Sequence, residues 1–393
     1  MSIVLRPHGV ACNIACQYCY QNPLRNAAGT APKFDFDAVT EAVDKLNEPL
    51  HLFGGEPLLL SYSDIERLIQ FNLKRFGQPP RVQSNGVLMT TQHVSLFSRY
   101  GVKVGISIDG PGELNDARWA GSLAKTRAST KSTLRSIDLL LDAGLCDGIM
   151  VQLSRANGIP PALETLCTWL TELDAKGVQT ARIHILGLDD TAARDAYGLT
   201  VAENVHAITR LVELAKGLQR MRLDVSSDRR GMLLMEDEAV SCTFRGCDPL
   251  FTEAVFGLSG DGEPNKCGFT DKEGIDFLKT DIPNYERYLA LYQTPQAYGG
   301  CQDCRFFVAC KGQCPGSAIE GDWRNRSDNC EAWRQLFAHA EAELVAEGAV
   351  PISIHPRRHD VESALVMAWS SGGNPTLSRL RCDLGLSLAG PPP

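Results

Sequence analysis

Cysteine placement is the tightest constraint on how this chain can fold. Fourteen cysteines are spread unevenly over 393 residues: three lie at 12, 16 and 19, eight lie between 242 and 330, and Cys146, Cys167 and Cys382 stand apart. In a large chain whose start has no secretory signal, such grouping reads as metal ligation or catalysis before disulfide bonding. Cys146, in a predicted helix-to-strand turn, and Cys167, inside a helical pattern, read as small hydrophobic residues. Cys382 lies in the tail and takes no role.

The rest of the chain supplies the scaffold. From residue 3 to about 188, short aliphatic or β-branched runs alternate with amphipathic stretches, which predicts strands at 3–6, 50–53, 81–83, 102–108, 148–153 and 180–186. Helices are predicted between them at 36–46, 62–75, 91–99, 129–143 and 161–175, with a further one at 200–218. Consecutive βα units build parallel sheets with ligand sites at the carboxyl ends of the strands, and six such strands predict an open barrel. A polar stretch through Asp224, Asp228, Arg229 and Arg230 starts a link to the second cysteine group. Beyond that group, helices are expected at 331–347 and 360–369, then Gly-Gly at 372–373 and a frayed Pro-Pro-Pro tail at 391–393. With 47 acidic against 39 basic residues, a net charge of −8 offers no cationic footprint for nucleic acid. No apolar run reaches the ~18–20 residues that cross a bilayer, so the cytoplasm is the expected location.

Cys12-Asn-Ile-Ala-Cys16-Gln-Tyr-Cys19 puts three thiols on a tight loop directly after the first strand. A ferredoxin-type cubane uses four cysteines; three leave one iron open. An open iron can chelate the amino and carboxylate groups of S-adenosylmethionine (SAM) and pass an electron into its sulfonium, giving methionine and a 5'-deoxyadenosyl radical. The bland alternative is a zinc knuckle or buried thiols. At this point the sequence resembles the radical SAM superfamily, and further motifs follow in order. Gly54-Gly55-Glu56-Pro57, ending strand two, is similar to the family's GGEP segment, whose backbone and Glu meet the SAM amino group. Gln83-Ser84-Asn85-Gly86 resembles its QTNG segment, and Ser107-Ile108-Asp109-Gly110-Pro111 its S-[IL]-D-G-P segment. The resemblance implies that Ser107 meets the SAM carboxylate or ribose and that Gln83 and Asn85 reach towards ribose or substrate. Taken alone, such strand-end residues are often turns or helix caps. Where the family often has HDxxR this chain has Asn115-Asp116-Ala117-Arg118, so the His is replaced and the Arg sits one place nearer. Arg118 is the candidate partner of the SAM carboxylate. Gln152 and Asn157 after strand five, Asp109, and backbone around Leu186 for adenine complete the expected cofactor site.

The second group runs Cys242-x4-Cys247, a Gly262-x4-Cys267 piece, Cys301-x2-Cys304-x5-Cys310-x3-Cys314, and Cys330. This pattern resembles the SPASM domain of radical SAM peptide and protein modifiers. By that resemblance, one auxiliary [4Fe-4S] cluster takes Cys242, Cys247, Cys267 and Cys314, and a second takes Cys301, Cys304, Cys310 and Cys330, which makes three clusters in all. Two structural zinc ions are the alternative for eight cysteines. The predicted organisation is a radical SAM domain with a partial (β/α)6 barrel at 1–221, a linker at 222–241, a SPASM domain at 242–333, and a helical extension and tail at 334–393.

The resemblance implies a polypeptide substrate. Complete auxiliary ligand sets leave no iron for substrate, so the expected auxiliary task is to remove an electron from a substrate radical, a net two-electron oxidation. Two subfamilies compete: enzymes that cross-link small ribosomally made precursor peptides, and anaerobic sulfatase maturases that make formylglycine. Sulfatase maturases have an Asp base directly after the Cys of the GxxxxC piece, where this chain has Gly268 followed by Phe269. Peptide cross-linking is therefore the preferred expectation, with Asp224 and Asp228 as weaker stand-ins for a base. A third reading is an iron-sulfur electron carrier or a SAM-binding regulator that never turns over. The expected partners are a precursor peptide and a reductant such as flavodoxin or ferredoxin. With the first strand starting at Ile3, leader capture is expected at the barrel rim, after residue 333, or on a separate recognition protein.

Overall fold

The computed structural model describes residues 2–27, 33–187, 191–224, 227–238, 240–247, 255–265, 267, 269–270, 285–293, 298 and 300–388. The chain divides into two units, Met1–Asp224 with Val255–Lys272, and Val225–Ala254 with Glu273–Pro393.

The first unit is an α/β repeat round one sheet. Its strands are β1 Ile3–Arg6, β2 Leu50–Leu52, β3 Val82–Ser84, β4 Val104–Ser107, β5 Cys146–Leu153, β6 Thr180–Ile185, β7 Arg222–Asp224, β8 Phe256–Ser259 and β9 Pro264–Asn265. Helices α1 Asn22–Ala27, α2 Phe36–Leu46, α3 Tyr62–Phe76, α4 Thr91–Tyr100, α5 Leu123–Asp142, α6 Ala162–Lys176, α7 Thr191–Tyr197 and α8 Val201–Ala215 join them. Strand order is β7-β6-β5-β4-β3-β2-β1-β8-β9, parallel throughout except for the antiparallel β8–β9 pair.

The six expected strands are all present, and three more extend the sheet. β7 pairs with β6 on one side, and β8 pairs with β1 in register from Ile3↔Phe256 to Arg6↔Ser259 on the other. Residues 255–265, assigned from sequence to the cysteine-rich domain, thus lie in the sheet of the first unit. The fit is close: a Cβ on Gly260 would stand 1.8 Å from the Pro7 carbonyl oxygen. Helix α5 starts six residues before the expected 129, because Ser122 caps it by accepting from the Lys125 N–H. Glu203 and Thr200 likewise form a reciprocal capping box at the start of α8.

Period-two alternation places the site. Ile149, Val151 and Leu153 of β5 are buried, as are Ala181 and Ile183 of β6, each large apolar side chain contributing about 1.5–3 kcal/mol by leaving water. The alternate residues Met150 and Gln152 of β5 border a cavity instead.

The second unit holds α9 Ser227–Leu233, α10 Glu286–Gln293, α11 Phe307–Cys310, α12 Cys330–Ala346, α13 Arg358–Ser370 and α14 Leu377–Asp383. The sequence suggests a module with little core of its own. The structure gives it a substantial one, in which Tyr288, Phe307, Phe337, Ile352, Leu365 and Trp369 are buried together. Helices α12 to α14, most of which were expected to form a separate extension, supply much of that core. The Gly-Gly turn is present, whereas the Pro-Pro-Pro tail lies outside the described residues. Among the described residues no helix is long and apolar enough to cross a membrane.

Candidate functional site

The cysteine loop leaves β1 and turns back under its own backbone. The Cys19 N–H donates to the Cys16 carbonyl at 3.1 Å, and the Asn22 N–H to the Cys19 carbonyl at 3.0 Å. Arg25 of α1 ties the two ends of the loop, its Nε donating to the Val10 carbonyl at 3.1 Å and its Nη2 to Cys19 Sγ at 3.6 Å. The segment after β2 lies against the loop: the Gly55 N–H donates to the Gly9 carbonyl at 3.2 Å and the Glu56 N–H to the Ala11 carbonyl at 2.9 Å. That approach requires glycine, since a Cβ on Gly55 would stand 1.8 Å from the Ala11 oxygen.

Cys12, Cys16 and Cys19 border one cavity of about 150 Å³, along with Gly54, Gly55, Gln83, Asn85, Ser107, Arg118, Gln152 and Leu186. The sequence-predicted residues divide here. Those eight border the cavity. Gln83 Nε2 donates to Ser107 Oγ at 2.9 Å, and Gly105 makes room for it, because a Cβ there would stand 2.3 Å from Gln83 Oε1. Asn85 Nδ2 donates to Asn13 Oδ1 at 2.8 Å and to Cys12 Sγ at 3.6 Å.

Glu56, Pro57, Asp109 and Asn157 do not border the cavity. The buried Glu56 carboxylate accepts from the Leu58 N–H at 3.0 Å, Ser84 Oγ at 2.8 Å and the Asn85 N–H at 2.8 Å. It braces the strand ends, and burial, offset in part by those donors, raises its pKa. Pro57 opens a short helical turn. Asn157 Nδ2 donates to the Asp109 and Gln152 carbonyls, both at 2.9 Å, tying the ends of β4 and β5.

Asp109 belongs to a buried network that the motifs alone do not reveal. Tyr18, inside the cysteine motif, donates its hydroxyl to Asp109. Arg118 Nη1 donates to the Tyr18 oxygen at 3.3 Å and stands 3.9 Å from Asp109 Oδ1. Asp109 also accepts from the Gln152 N–H at 3.0 Å, and Asn115 Oδ1 accepts the Asp109 N–H at 2.9 Å. The shifted Arg118 therefore reaches the cavity with its guanidinium held by Tyr18, and Asn115 steadies the loop.

Several cavity residues were missed from sequence: Tyr20, whose ring centroid lies 4.4 Å from that of Phe269, Gln21, Arg25 and Met150. The available signals were proximity to Cys19 for the first three and strand alternation with Gln152 for Met150.

Burial pushes the Cys16 thiol up to about 12 and raises Cys12 as well. Such thiols ionise when a metal takes the place of the proton. Among the described residues no three His, Cys, Asp or Glu side chains are close enough to share a single metal ion. The fit of a cluster is therefore judged on the cavity and its donors. Three thiols and N–H groups directed at sulfur round a common space suit a [4Fe-4S] group.

In the second unit Cys301, Cys304, Cys310 and Cys330 border one small cavity of about 30 Å³, walled by Phe306, Phe307, Trp333 and Phe337. Burial pushes Cys301 and Cys310 up to about 12. Gln313 Nε2 donates to Cys310 Sγ at 3.7 Å. Arg287, 1% exposed, gives N–H bonds to the carbonyls of Trp323, Lys311 and Gly312 at 2.8, 3.3 and 3.0 Å, which fixes the turn after Cys310. No motif pointed to it. Of the other expected auxiliary ligands, Cys242, Cys247 and Cys314 fall in the second unit and Cys267 in the first. Gly268 lies outside the described residues, and of Asp228 no side-chain placement is described.

Residues 7–154 match the radical SAM superfamily. A serine-type anaerobic sulfatase-maturating enzyme of Bacteroides thetaiotaomicron is 26% identical over 194 residues, 46% of each chain. A cysteine-type one of Clostridium perfringens is 30% identical over 128 residues, 30% of this chain and 35% of that enzyme. The chain spans about half the length, or less, of most of the curated relatives it matches. Among solved structures, native anSMEcpe with bound AdoMet and Cp18Cys peptide superposes with a TM-score of 0.68 at 17% identity, covering 88% of this chain and 98% of that one. Streptococcus suis SuiB bound to S-adenosylmethionine gives 0.58 at 13% identity, covering 84% and 76%. The segment that matches the radical SAM superfamily, residues 7–154, is the one that carries the three-cysteine cavity at the strand ends of the parallel sheet.

Proposed function

We propose that this chain is a radical SAM oxidoreductase that modifies a polypeptide. The observation that carries the proposal is the single cavity where Cys12, Cys16 and Cys19 meet Gly54, Gly55, Gln83, Ser107, Arg118 and Gln152. Cys12, Cys16 and Cys19 would hold a [4Fe-4S] cluster, which would supply the electron for reductive cleavage of SAM to methionine and a 5'-deoxyadenosyl radical. The chain's own residues orient and enclose. Arg118, steadied by Tyr18 and Asp109, would offer its charge to the SAM carboxylate; Ser107 and Gln83 would offer hydroxyl and amide to carboxylate, ribose or substrate; Asn85 also lines the site; the backbone at Gly54 and Gly55 would receive the amino group, and backbone around Leu186 would meet the adenine. Glu56 and Asn157 act through these residues by holding the strand ends.

The cysteines between 242 and 330 are assigned to a SPASM-type region, with Cys301, Cys304, Cys310 and Cys330 as one auxiliary ligand set and Cys242, Cys247, Cys267 and Cys314 as the other. Two such clusters would supply an electron acceptor for a net two-electron oxidation, with electrons for SAM cleavage coming from flavodoxin or ferredoxin. The substrate we assign is a small precursor peptide that acquires a cross-link. Gly268, in place of an Asp base, supports this reading, as does the fold likeness to SuiB, which has been solved bound to precursor peptide SuiA. Formylglycine formation is the second reading, favoured by the names of the Bacteroides and Clostridium relatives.

Tandem mass spectrometry after a carbonyl-trapping reagent separates the two. A cross-linked product loses two hydrogens per bond, resists fragmentation between two residues and forms no adduct. Formylglycine forms an adduct at one Cys- or Ser-derived position, which would overturn the cross-linking assignment.

A further inference from the structure

The cysteine loop carries an amide that these roles leave unused. Gln21, two residues past Cys19, is 4% exposed, borders the three-thiol cavity, and its Nε2 has no hydrogen-bond partner among the described residues. A buried N–H without an acceptor costs about 1–3 kcal/mol, so a donor kept in a cavity wall points to an acceptor bound inside the cavity.

The surrounding donors indicate which acceptor. Asn85 Nδ2 is directed at Cys12 Sγ and Arg25 Nη2 at Cys19 Sγ, both at 3.6 Å. In the second unit a glutamine does the same, Gln313 Nε2 lying 3.7 Å from the sulfur of Cys310, three residues before it. Both cysteine cavities of this chain thus pair sulfur with side-chain N–H groups, and in one of them the donor is the same amide at a similar offset from its cysteine.

We propose that the Gln21 amide donates a hydrogen bond to a sulfur of the cluster held by Cys12, Cys16 and Cys19, and so raises the reduction potential of that cluster. The reduced cluster carries one more negative charge than the oxidised one, so an N–H dipole aimed at sulfur favours the reduced state. Gln21 acts on the electron-accepting step without touching the reacting atoms and is a positioning residue. The inference rests on the cluster assignment made above.

An EPR-monitored redox titration of the anaerobically reconstituted full chain tests it, with Gln21→Met and Gln21→Leu, which keep an apolar filling but lack the donor. Wild-type protein should give the reduced-cluster signal of the three-cysteine site; its absence would overturn the cluster assignment itself, before any variant is compared. Given that signal, both variants should bind iron as wild type does, hold SAM with unchanged affinity, and titrate at a more negative midpoint. An unchanged midpoint in a loaded variant overturns the inference. So does an unchanged midpoint with weakened SAM binding, which would give the amide to SAM. Loss of the cluster in both variants also counts against it, because a tuning donor is not a ligand.

Discussion

The two cysteine cavities solve opposite problems. The one in the first unit has three thiols, about 150 Å³ of space and a wall that includes amides, hydroxyls and two guanidinium groups. The one in the second has four thiols, about 30 Å³ and a wall dominated by aromatic rings. The first draws its thiols from one short loop and leaves room and polar partners for another molecule. The second gathers thiols from 301 to 330, the last at the first residue of α12, where burial raises the Cys330 thiol. A site built to bind a cofactor and react keeps a place open and lined with donors. The four-thiol cavity is smaller and more apolar, though Cys301, Cys304 and Cys330 also border an adjoining cleft of about 320 Å³.

The comparison breaks most sharply if the three-thiol cavity proves dispensable. Replacing Cys12, Cys16 and Cys19 together by Ala should remove about four irons per chain and abolish 5'-deoxyadenosine formation, while iron in the second unit remains. Iron and sulfide assay with nucleoside chromatography checks this, and an unchanged iron count would sink the assignment.

Next in size is Arg118→Ala. It leaves the buried Asp109 without its cation, which should cost about 3–5 kcal/mol of stability and weaken SAM binding; urea denaturation and equilibrium dialysis read the two effects. A smaller effect on SAM chemistry is expected from Cys330→Ala, which should lose the second unit's cluster, about four irons, and yet retain SAM cleavage. Full peptide product from soluble variant lacking that cluster would deny it an essential redox role.

The smallest effect tests whether Glu56 braces the site. Glu56→Gln should cost about 1–3 kcal/mol by spoiling one of three hydrogen bonds, with only a minor change in SAM affinity. Its sign with pH follows from burial: the folded carboxyl titrates above its unfolded value. The contribution of wild-type Glu56 is therefore full in acid and is lost as pH rises through the folded value. The deficit of the variant should be widest in acid and narrow towards neutrality in parallel denaturation series.

Local spacing carried most of what could be read beforehand. The βα repeat was legible because each strand and helix shows its own period, and Ile3–Arg6 and Phe36–Leu46 fall where that period puts them. The candidate site was legible where chemistry and spacing coincide, at Cys12, Cys16 and Cys19 and at the strand-end residues Gln83, Ser107 and Gln152. Inward or outward orientation was less so. Glu56 and Gly55 are adjacent in one motif, yet Gly55 borders the cavity and Glu56 turns into the core.

The sequence by itself determined the ligand types, their grouping into sets and the alternation of strand and helix, because these depend on neighbours within a few residues. Only the tertiary structure decided that β8 joins β1 across some 250 residues of chain and that the helices after Cys330 share a core with Tyr288, Leu291, Phe306 and Phe307. It also decided that Tyr18, Asp109 and Arg118 form one buried network and that Gln21 keeps an unpartnered amide at the cavity. Each depends on which face one element turns to another far along the chain, and no local spacing encodes that choice.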